Sequence, residues 1–171
     1  MKTILLYYSK YKTTAQYAQW ISEDLDCDLY PIDKAPDSLE AYDCILYGAG
    51  IYAGKLKEAS LLEEYPEKKR IVFTVGLISQ DHKNYKETLK RNFSEESLEK
   101  IKFFHFPGAL DFKKLSLLDQ ILMRGVKLAF NKVPEEERDE DFQYMMDHYY
   151  ESYGKLYKES IKPLLEEARR S

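Results

Sequence analysis

Short apolar segments alternate with stretches of helical periodicity from residue 3 to residue 106. An apolar run without polar alternation is typical of a parallel strand covered on both faces, and Thr3–Tyr8 is the first such run. Strands and helices that alternate at these lengths predict an α/β doubly wound sheet of five parallel strands, in the order 2-1-3-4-5, with helices on both faces. The predicted strands are Thr3–Tyr8, Cys27–Ile32, Asp43–Tyr47, Arg70–Val75 and Ile101–Phe106.

Helical periodicity predicts the remaining elements. The first helix is expected to run through Leu25, with Thr13 or Thr14 as its N-cap. After the fifth strand an apolar stripe predicts a helix over residues 113–130, followed by an acidic turn over residues 135–141. A last long helical pattern covers residues 142–157, and Pro163 opens its final turns. Because no linker or repeat divides the chain, we expect one domain over residues 1–171.

Composition and charge exclude several classes of function. The chain has 171 residues and a net charge of -4, from 26 Lys and Arg against 30 Asp and Glu, whereas a general nucleic-acid binder carries a basic face. No apolar run approaches the roughly 20 residues that span a bilayer, so we expect a cytoplasmic protein. Cys27 and Cys44 form neither a CxxC pair nor a metal-ligand cluster and are expected to be inert thiols. The three histidines match no motif, and we predict no metal ligand and no catalytic acid, base or nucleophile.

The loop after the first strand has the residue types of a phosphate site. In open α/β sheets a ligand binds outside the carboxyl ends of the strands where the strand order reverses, which is here between strands one and three. Backbone N–H groups at a helix N-terminus, the helix dipole and the hydroxyls of Ser9, Thr13 and Thr14 can hold a phosphate dianion. Lys10 and Lys12 add positive charge. Taken alone, this loop is equally typical of an ordinary helix N-cap.

Two further loops end at the same edge of the predicted sheet. After the third strand, Gly48, Gly50 and Gly54 allow the backbone to approach a flat ligand, and Tyr52 can stack on it. After the fourth strand, residues 74–77 contain another glycine. A flat ring between two loops, with its phosphate on the first helix, is what an FMN site requires. The glycine cluster alone would also suit a simple strand-to-helix turn.

Several of these segments resemble the flavodoxin family. Residues 8–14 resemble the flavodoxin phosphate loop, with Tyr11 where threonine is common and Lys12 where glycine is common. Residues 47–51, 106–112 and 119–123 are similar to segments of the flavodoxin-domain branch that includes bacterial menaquinone-dependent protoporphyrinogen oxidase. The resemblance implies a flavodoxin-like fold and bound FMN, with a peptide at Gly50 or Gly54 near flavin N5. The implied phosphate ligands are Ser9, Lys10, Tyr11, Lys12, Thr13 and Thr14, and the implied ring contacts are Ala49, Gly50, Ile51, Tyr52, Ala53, Gly54, Thr74, Val75, Gly76 and Leu77.

The resemblance implies electron transfer or oxidoreductase chemistry through the flavin, with a redox partner protein or a small-molecule or quinone electron acceptor. A protoporphyrinogen or quinone oxidoreductase is one alternative, and a flavodoxin-shaped interaction module without flavin is another. The sequence argues against a phosphoacceptor signalling domain, which requires acidic residues after the first strand and an aspartate at the end of the third. Those positions are Tyr8-Ser9 and Tyr47-Gly48. A Rossmann dinucleotide site is excluded because its glycine fingerprint is missing from the first turn.

The helix predicted over residues 113–130 has basic residues beside its apolar stripe. We expect its apolar side to cover the sheet, and contact with a membrane surface or a partner is the alternative. The acidic run over residues 135–141 is interpreted as a solvated segment, with a docking patch for a basic partner as the alternative. The stripe consists of Leu115, Leu118, Leu122, Val126 and Ala129, and the basic residues are Lys113, Lys114, Arg124, Lys127 and Lys132.

Overall fold

The computed structural model describes residues 1–77, 83–138, 140–148 and 152–170. The chain divides into two compact units, one formed by Met1–Gly108 with Leu156–Ser171 and the other by Ala109–Lys155. Each unit is described by itself below, and a single domain over residues 1–171 stays a prediction.

The first unit is built on a sheet of five parallel strands. Their order is β2-β1-β3-β4-β5, so the first strand lies beside both the second and the third. This confirms the predicted flavodoxin-like sheet, including its strand order. The strands are β1 (Thr3–Tyr8), β2 (Asp28–Pro31), β3 (Cys44–Gly50), β4 (Lys69–Gly76) and β5 (Lys102–Pro107).

Helices cover both faces of this sheet, as predicted. On one face Leu5, Leu46 and Ile71 pack against side chains of α1 and α6, among them Tyr17 and Leu164. On the other face alternate strand residues pack against the 3-10 segment Ala59–Glu64 and the α2–α3 region. Burial of each large aliphatic side chain stabilises the fold by about 1.5–3 kcal/mol. The helices of this unit are α1 (Thr13–Leu25), α2 (Lys83–Asn92), α3 (Glu95–Lys100) and α6 (Lys162–Arg169).

The second unit follows the fifth strand. It contains α4 (Leu117–Phe130) and α5 (Glu140–Asp147). Two short strands, β6 (Leu110–Asp111) and β7 (Ser152–Tyr153), pair antiparallel. None of the helices in the described part of the chain is both long enough and apolar enough to cross a membrane.

Several predicted boundaries are wrong. The helix predicted over residues 113–130 begins only at Leu117, after the 3-10 segment Phe112–Lys114. The N-cap of α1 is Lys12 rather than Thr13 or Thr14, because the helix already begins at Thr13. The third strand continues past Tyr47 to Gly50, since its glycine backbone goes on pairing with β4. The single long helix over residues 142–157 does not form: α5 ends at Asp147, β7 follows, and Gly154 has a φ of 81°, which ends helical geometry. Tyr149 and Tyr150, which belonged to that pattern, and His82 lie outside the described residues.

The two cysteines lie at the sheet as predicted. Cys44 is the buried first residue of β3, and Cys27 is half-buried just before β2. Burial raises the pKa of each thiol to about 11. Both are therefore protonated at neutral pH and are poor nucleophiles.

Candidate functional site

The segment between β1 and α1 presents a helix N-terminus next to a buried hydroxyl. The Lys12 side chain does not cap α1, so the first backbone N–H groups of the helix have no side-chain acceptor at that position. Among the described residues, the Ser9 hydroxyl oxygen is buried without a hydrogen-bond partner. A buried hydroxyl that bonds to nothing costs about 1–3 kcal/mol. The Ser9 hydroxyl therefore lacks a hydrogen-bonding partner that a bound polar ligand could provide.

The axis of α1 is held firmly against the sheet. Tyr17 is fully buried, and its hydroxyl donates to the Pro107 carbonyl oxygen at 2.9 Å and accepts from the Tyr157 backbone N–H at 3.1 Å. These bonds link the helix to the carboxyl end of β5. The position of the helix N-terminus is thus determined by the sheet rather than by the loop.

Lys12 has a backbone conformation that glycine normally provides. Its φ is 65° and its ψ is -9°, in the left-handed region. At this position the flavodoxin phosphate loop commonly has glycine, so the turn keeps its left-handed shape although the residue has changed. A non-glycine residue in that region is strained by about 1 kcal/mol or more.

Replacing Lys12 with glycine is expected to raise the free energy of unfolding by about 1 kcal/mol, because the strain is removed. Chemical denaturation of the flavin-free protein measures this change. The matched control is Lys10→Gly in the same loop, where φ is not positive and glycine only adds unfolded-state entropy. Equal destabilisation by the two substitutions would contradict the proposed strain at Lys12.

The chain after β3 folds back in a tight turn. Tyr52 and Lys55 exchange two backbone hydrogen bonds, Tyr52 N–H to Lys55 O at 3.1 Å and Lys55 N–H to Tyr52 O at 2.9 Å. Between them, Ala53 and Gly54 both have positive φ, 50° and 73°, which is the geometry of a type I′ turn. The conformational freedom of Gly54 is therefore used by the turn itself.

This turn brings Tyr52 against the loop that follows β1. The Tyr52 ring meets the Tyr8 ring edge to face with 6.2 Å between centroids, and Lys10 Nζ lies 6.0 Å from the Tyr52 centroid. A Cβ at Gly50 would lie 3.0 Å from the Tyr52 ring, so the ring rests on the Gly50 backbone. Burial raises the Tyr52 pKa to about 12, and its hydroxyl is neutral at physiological pH. Tyr52 thus connects the first two predicted loops.

The end of β4 lies beside the same turn. The Ile51 N–H donates to the Val75 carbonyl oxygen at 3.3 Å, and the Gly108 N–H donates to the Gly76 carbonyl oxygen at 2.7 Å. The predicted ring-flanking segments, Ala49–Gly54 and Thr74–Leu77, are therefore neighbours. Because Tyr52 also contacts the loop that follows β1, all three predicted loops meet at one edge of the sheet. Their roles as ligand contacts stay predictions.

A polar cluster behind Thr74 had no sequence signal. The fully buried Thr74 has its hydroxyl oxygen 2.7 Å from His105 Nδ1 and 3.2 Å from the Tyr85 hydroxyl. The His105 ring also lies close to Gly76, where a Cβ would be 3.1 Å from it. His105 is paired with Thr74 by the β4–β5 register, which a single sequence does not reveal. The cluster fixes the orientation of Thr74 within the ring-flanking segment.

A cavity of about 1050 Å³ opens beside the loop that follows β1. Ser9 and Lys12 line it together with Ile32 and Lys34, which follow β2, and with Leu61. None of the predicted ring-flanking residues lines it. Lys57 and Glu58, from the segment between β3 and β4, also line the cavity, so it lies among the chain segments that follow β1, β2 and β3.

One known protein family matches most of the chain. A family model described as a flavodoxin domain matches residues 4–137. An uncharacterized protein of Methanocaldococcus jannaschii is 38% identical over 100 residues, which cover 53% of this chain and 67% of that protein.

Solved structures with related topology are more distant. A putative flavoprotein from Bacteroides uniformis is 20% identical, with a TM-score of 0.45, over 62% of this chain and 88% of that one. A flavoprotein from Lactobacillus acidophilus, solved in complex with FMN, is 20% identical with a TM-score of 0.43, over 63% of this chain and 92% of that one. Oxidised flavodoxin 2 from Bacillus cereus is 21% identical with a TM-score of 0.40, over 61% and 84% of the two chains.

Proposed function

The chain belongs to the flavodoxin domain family, and we propose that it binds one FMN at the carboxyl ends of β1, β3 and β4 and transfers electrons through it. The observation that carries this proposal is the buried Ser9 hydroxyl without a partner in the loop that leads from β1 into α1. A phosphate oxygen at that point would accept a hydrogen bond from Ser9. It would also accept from the backbone N–H groups in the first turn of the helix, whose dipole favours a dianion.

The charge around this loop supports a phosphorylated ligand. Lys12 is exposed at the lip of the helix N-terminus, and Lys10 stands over the Tyr11 ring with Nζ 5.6 Å from its centroid. No acidic side chain lies between Tyr8 and Gln19. The loop is therefore locally positive in a chain whose net charge is -4. A neutral ligand would gain nothing from this arrangement.

The two ring-flanking segments suit the flat part of the same molecule. Ile51 and Tyr52 offer an apolar and an aromatic surface, and the glycines at positions 50 and 76 let the Tyr52 and His105 rings pack closely against the backbone. When bound, FMN supplies one- and two-electron redox chemistry. The residues of the chain bind and orient it, exclude water from one face and hold the Tyr52 hydroxyl neutral.

The proposal extends to partners of a cytoplasmic redox carrier. A net charge of -4 favours a partner protein with a basic docking face. Small-molecule or quinone acceptors, including those of a protoporphyrinogen or quinone oxidoreductase, need an apolar pocket over the ring. Turnover with menaquinone and protoporphyrinogen separates the two functions, since a carrier that serves only proteins would be inactive with both.

Titration of the flavin-free protein with FMN and with riboflavin tests the proposal. We expect FMN to bind at least about a hundredfold more tightly than riboflavin, because only FMN carries the phosphate that the α1 N-terminus and Ser9 would hold. Quenching of flavin fluorescence measures both affinities. Equal affinities for FMN and riboflavin would contradict a phosphate site at the α1 N-terminus. If neither flavin binds, the alternative of an interaction module without flavin is favoured.

A further inference from the structure

The helix α4 has its apolar side toward solvent. Leu117 is 78% exposed, Leu118 74% and Ile121 63%, and Leu122 and Leu128 are 65% and 66% exposed. The apolar side of this helix is therefore not buried within its own unit. Within the second unit only Phe130 of this helix is buried. An exposed apolar surface of this size on one element marks an interaction site.

Polar side chains hold the opposite side of α4 to its own unit. The Gln120 side-chain amide donates to the Leu115 carbonyl oxygen at 3.0 Å, and Lys127 Nζ donates to the Met146 carbonyl oxygen at 2.9 Å. Phe130 anchors the last turn by burial. The orientation of the helix thus follows from specific contacts, and its leucines point outward as a result.

The exposed apolar residues form one continuous face. With about 100° of rotation per residue, they fill an arc of roughly 140° on the helix. The face contains no charged residue, and Gly125 lies near its centre with open space beyond it. We call it the α4 face, and it consists of Leu117, Leu118, Ile121, Leu122, Gly125, Leu128 and Ala129.

Basic residues surround the α4 face. Residues 113–132 carry five basic side chains and one acidic side chain, although the whole chain has a net charge of -4. Lys113 and Lys114 precede the helix, Arg124 is exposed at one edge of the face, and Lys132 follows the helix, all four exposed to solvent. The acidic run begins only at Glu135, beyond the helix. The helix is therefore a local positive region on an acidic protein.

We propose that the α4 face docks into the headgroup boundary of an anionic lipid membrane. A helix with a leucine-rich face and basic residues at its margins lies in the plane of such a surface, with the apolar side chains inserted and the lysines and arginines at lipid phosphates. At 14 residues the helix is about 21 Å long, too short for the roughly 30 Å hydrocarbon core, so it lies on the membrane and does not cross it.

A second copy of this chain is the other occupant of suitable shape. A two-fold interface centred on Gly125 would bring the two copies of Arg124 to the same crossing, and the basic residues at the helix ends would add further like charge. Like charges placed opposite each other oppose association. An anionic membrane instead complements every one of these charges. Charge complementarity therefore favours lipid.

Sedimentation of the full-length protein with vesicles tests this proposal without any flavin. We expect binding to phosphatidylcholine vesicles that contain about one third phosphatidylglycerol, weaker binding to pure phosphatidylcholine, and a further loss at 0.5 M salt, since salt screens the basic residues. The double variant Leu118→Gln/Leu122→Gln is expected to lower the vesicle partition coefficient at least about tenfold. Glutamine keeps helix propensity close to that of leucine, and both positions are exposed, so the fold is preserved.

Two controls make the outcome decisive. Leu118→Met/Leu122→Met keeps the face apolar and is expected to bind like the original protein. Arg124→Gln is expected to weaken binding to anionic vesicles, whereas Arg91→Gln, which removes an equally charged exposed arginine from α2, is not. Absence of vesicle binding, equal binding to neutral and anionic lipid, or a dimer in light scattering that the Leu→Gln pair converts to monomer would each overturn the proposal.

Discussion

Ser9→Asp is expected to lower FMN affinity by roughly a thousandfold while the fold stays intact. The new carboxylate would occupy the place proposed for a phosphate oxygen, and a pair of like charges about 4 Å apart opposes binding by about 4 kcal/mol at an effective dielectric constant near 20. The flavin-free protein is expected to keep its fold because the loop has two lysines and no acidic residue and leads into the positive end of the α1 dipole. Flavin titration and thermal unfolding measure the two quantities.

The matched control is Ser9→Asn, because asparagine has nearly the same size as aspartate and carries no charge. We expect it to cost only about tenfold in FMN affinity, because it removes the hydroxyl donor but adds no repulsion. Riboflavin affinity should be nearly the same in both variants, since riboflavin has no phosphate. Should the aspartate variant bind FMN as well as the asparagine variant does, the phosphate of FMN does not lie at the α1 N-terminus.

Gly48→Ala is expected to destabilise the first unit by about 3 kcal/mol, a large part of the stability of an ordinary domain. A Cβ at Gly48 would lie 2.0 Å from Phe73 Cζ and 2.5 Å from both neighbouring ring carbons. The Phe73 ring cannot yield, because it is fully buried and packs against Phe106, with 5.4 Å between the ring centroids. Chemical denaturation followed by circular dichroism measures the loss.

Two further variants identify the cause of that loss. Phe73→Leu removes the tip of the ring, so the double variant with Gly48→Ala should be more stable than the sum of the single effects predicts, by about 1 kcal/mol or more. Gly125→Ala makes the same chemical change where a Cβ would meet nothing within 4 Å, and it should stabilise α4 by about 0.5–1 kcal/mol. An additive double variant would show that the Phe73 contact is not the reason for glycine at position 48.

The same contact explains why one sequence interpretation of the glycines was incomplete. Gly48, Gly50 and Gly54 were interpreted together as room for a flat ligand. Gly48 instead accommodates the Phe73 ring, Gly54 serves the type I′ turn, and Gly50 supports the Tyr52 ring. Each requirement comes from a ring that packs on the glycine or from a backbone angle, and a glycine in a sequence does not show which neighbour it accommodates.

Local pattern was sufficient for the sheet and for the edge at which the three loops meet. Uninterrupted apolar runs predicted five buried parallel strands, and the rule for strand-order reversal predicted the edge at which the loops of β1, β3 and β4 meet. Local pattern failed after residue 108. There the periodicity of residues 142–157 was helical, but Gly154 and the β6–β7 pairing interrupt it. The apolar stripe predicted for this helix also differs from the exposed face, because Leu115 precedes the helix and is buried, whereas Leu117, Ile121 and Leu128 are exposed.

The amino-acid sequence alone therefore determined the strand order, the family and the three loops, because these follow from burial periodicity and from residue types close together in the chain. Tertiary structure decided which polar atoms lack a partner, which glycines are sterically required, how His105 meets Thr74, and that the leucines of α4 face solvent. Those facts depend on distances between residues that are far apart in the chain, and such distances exist only once the chain has packed.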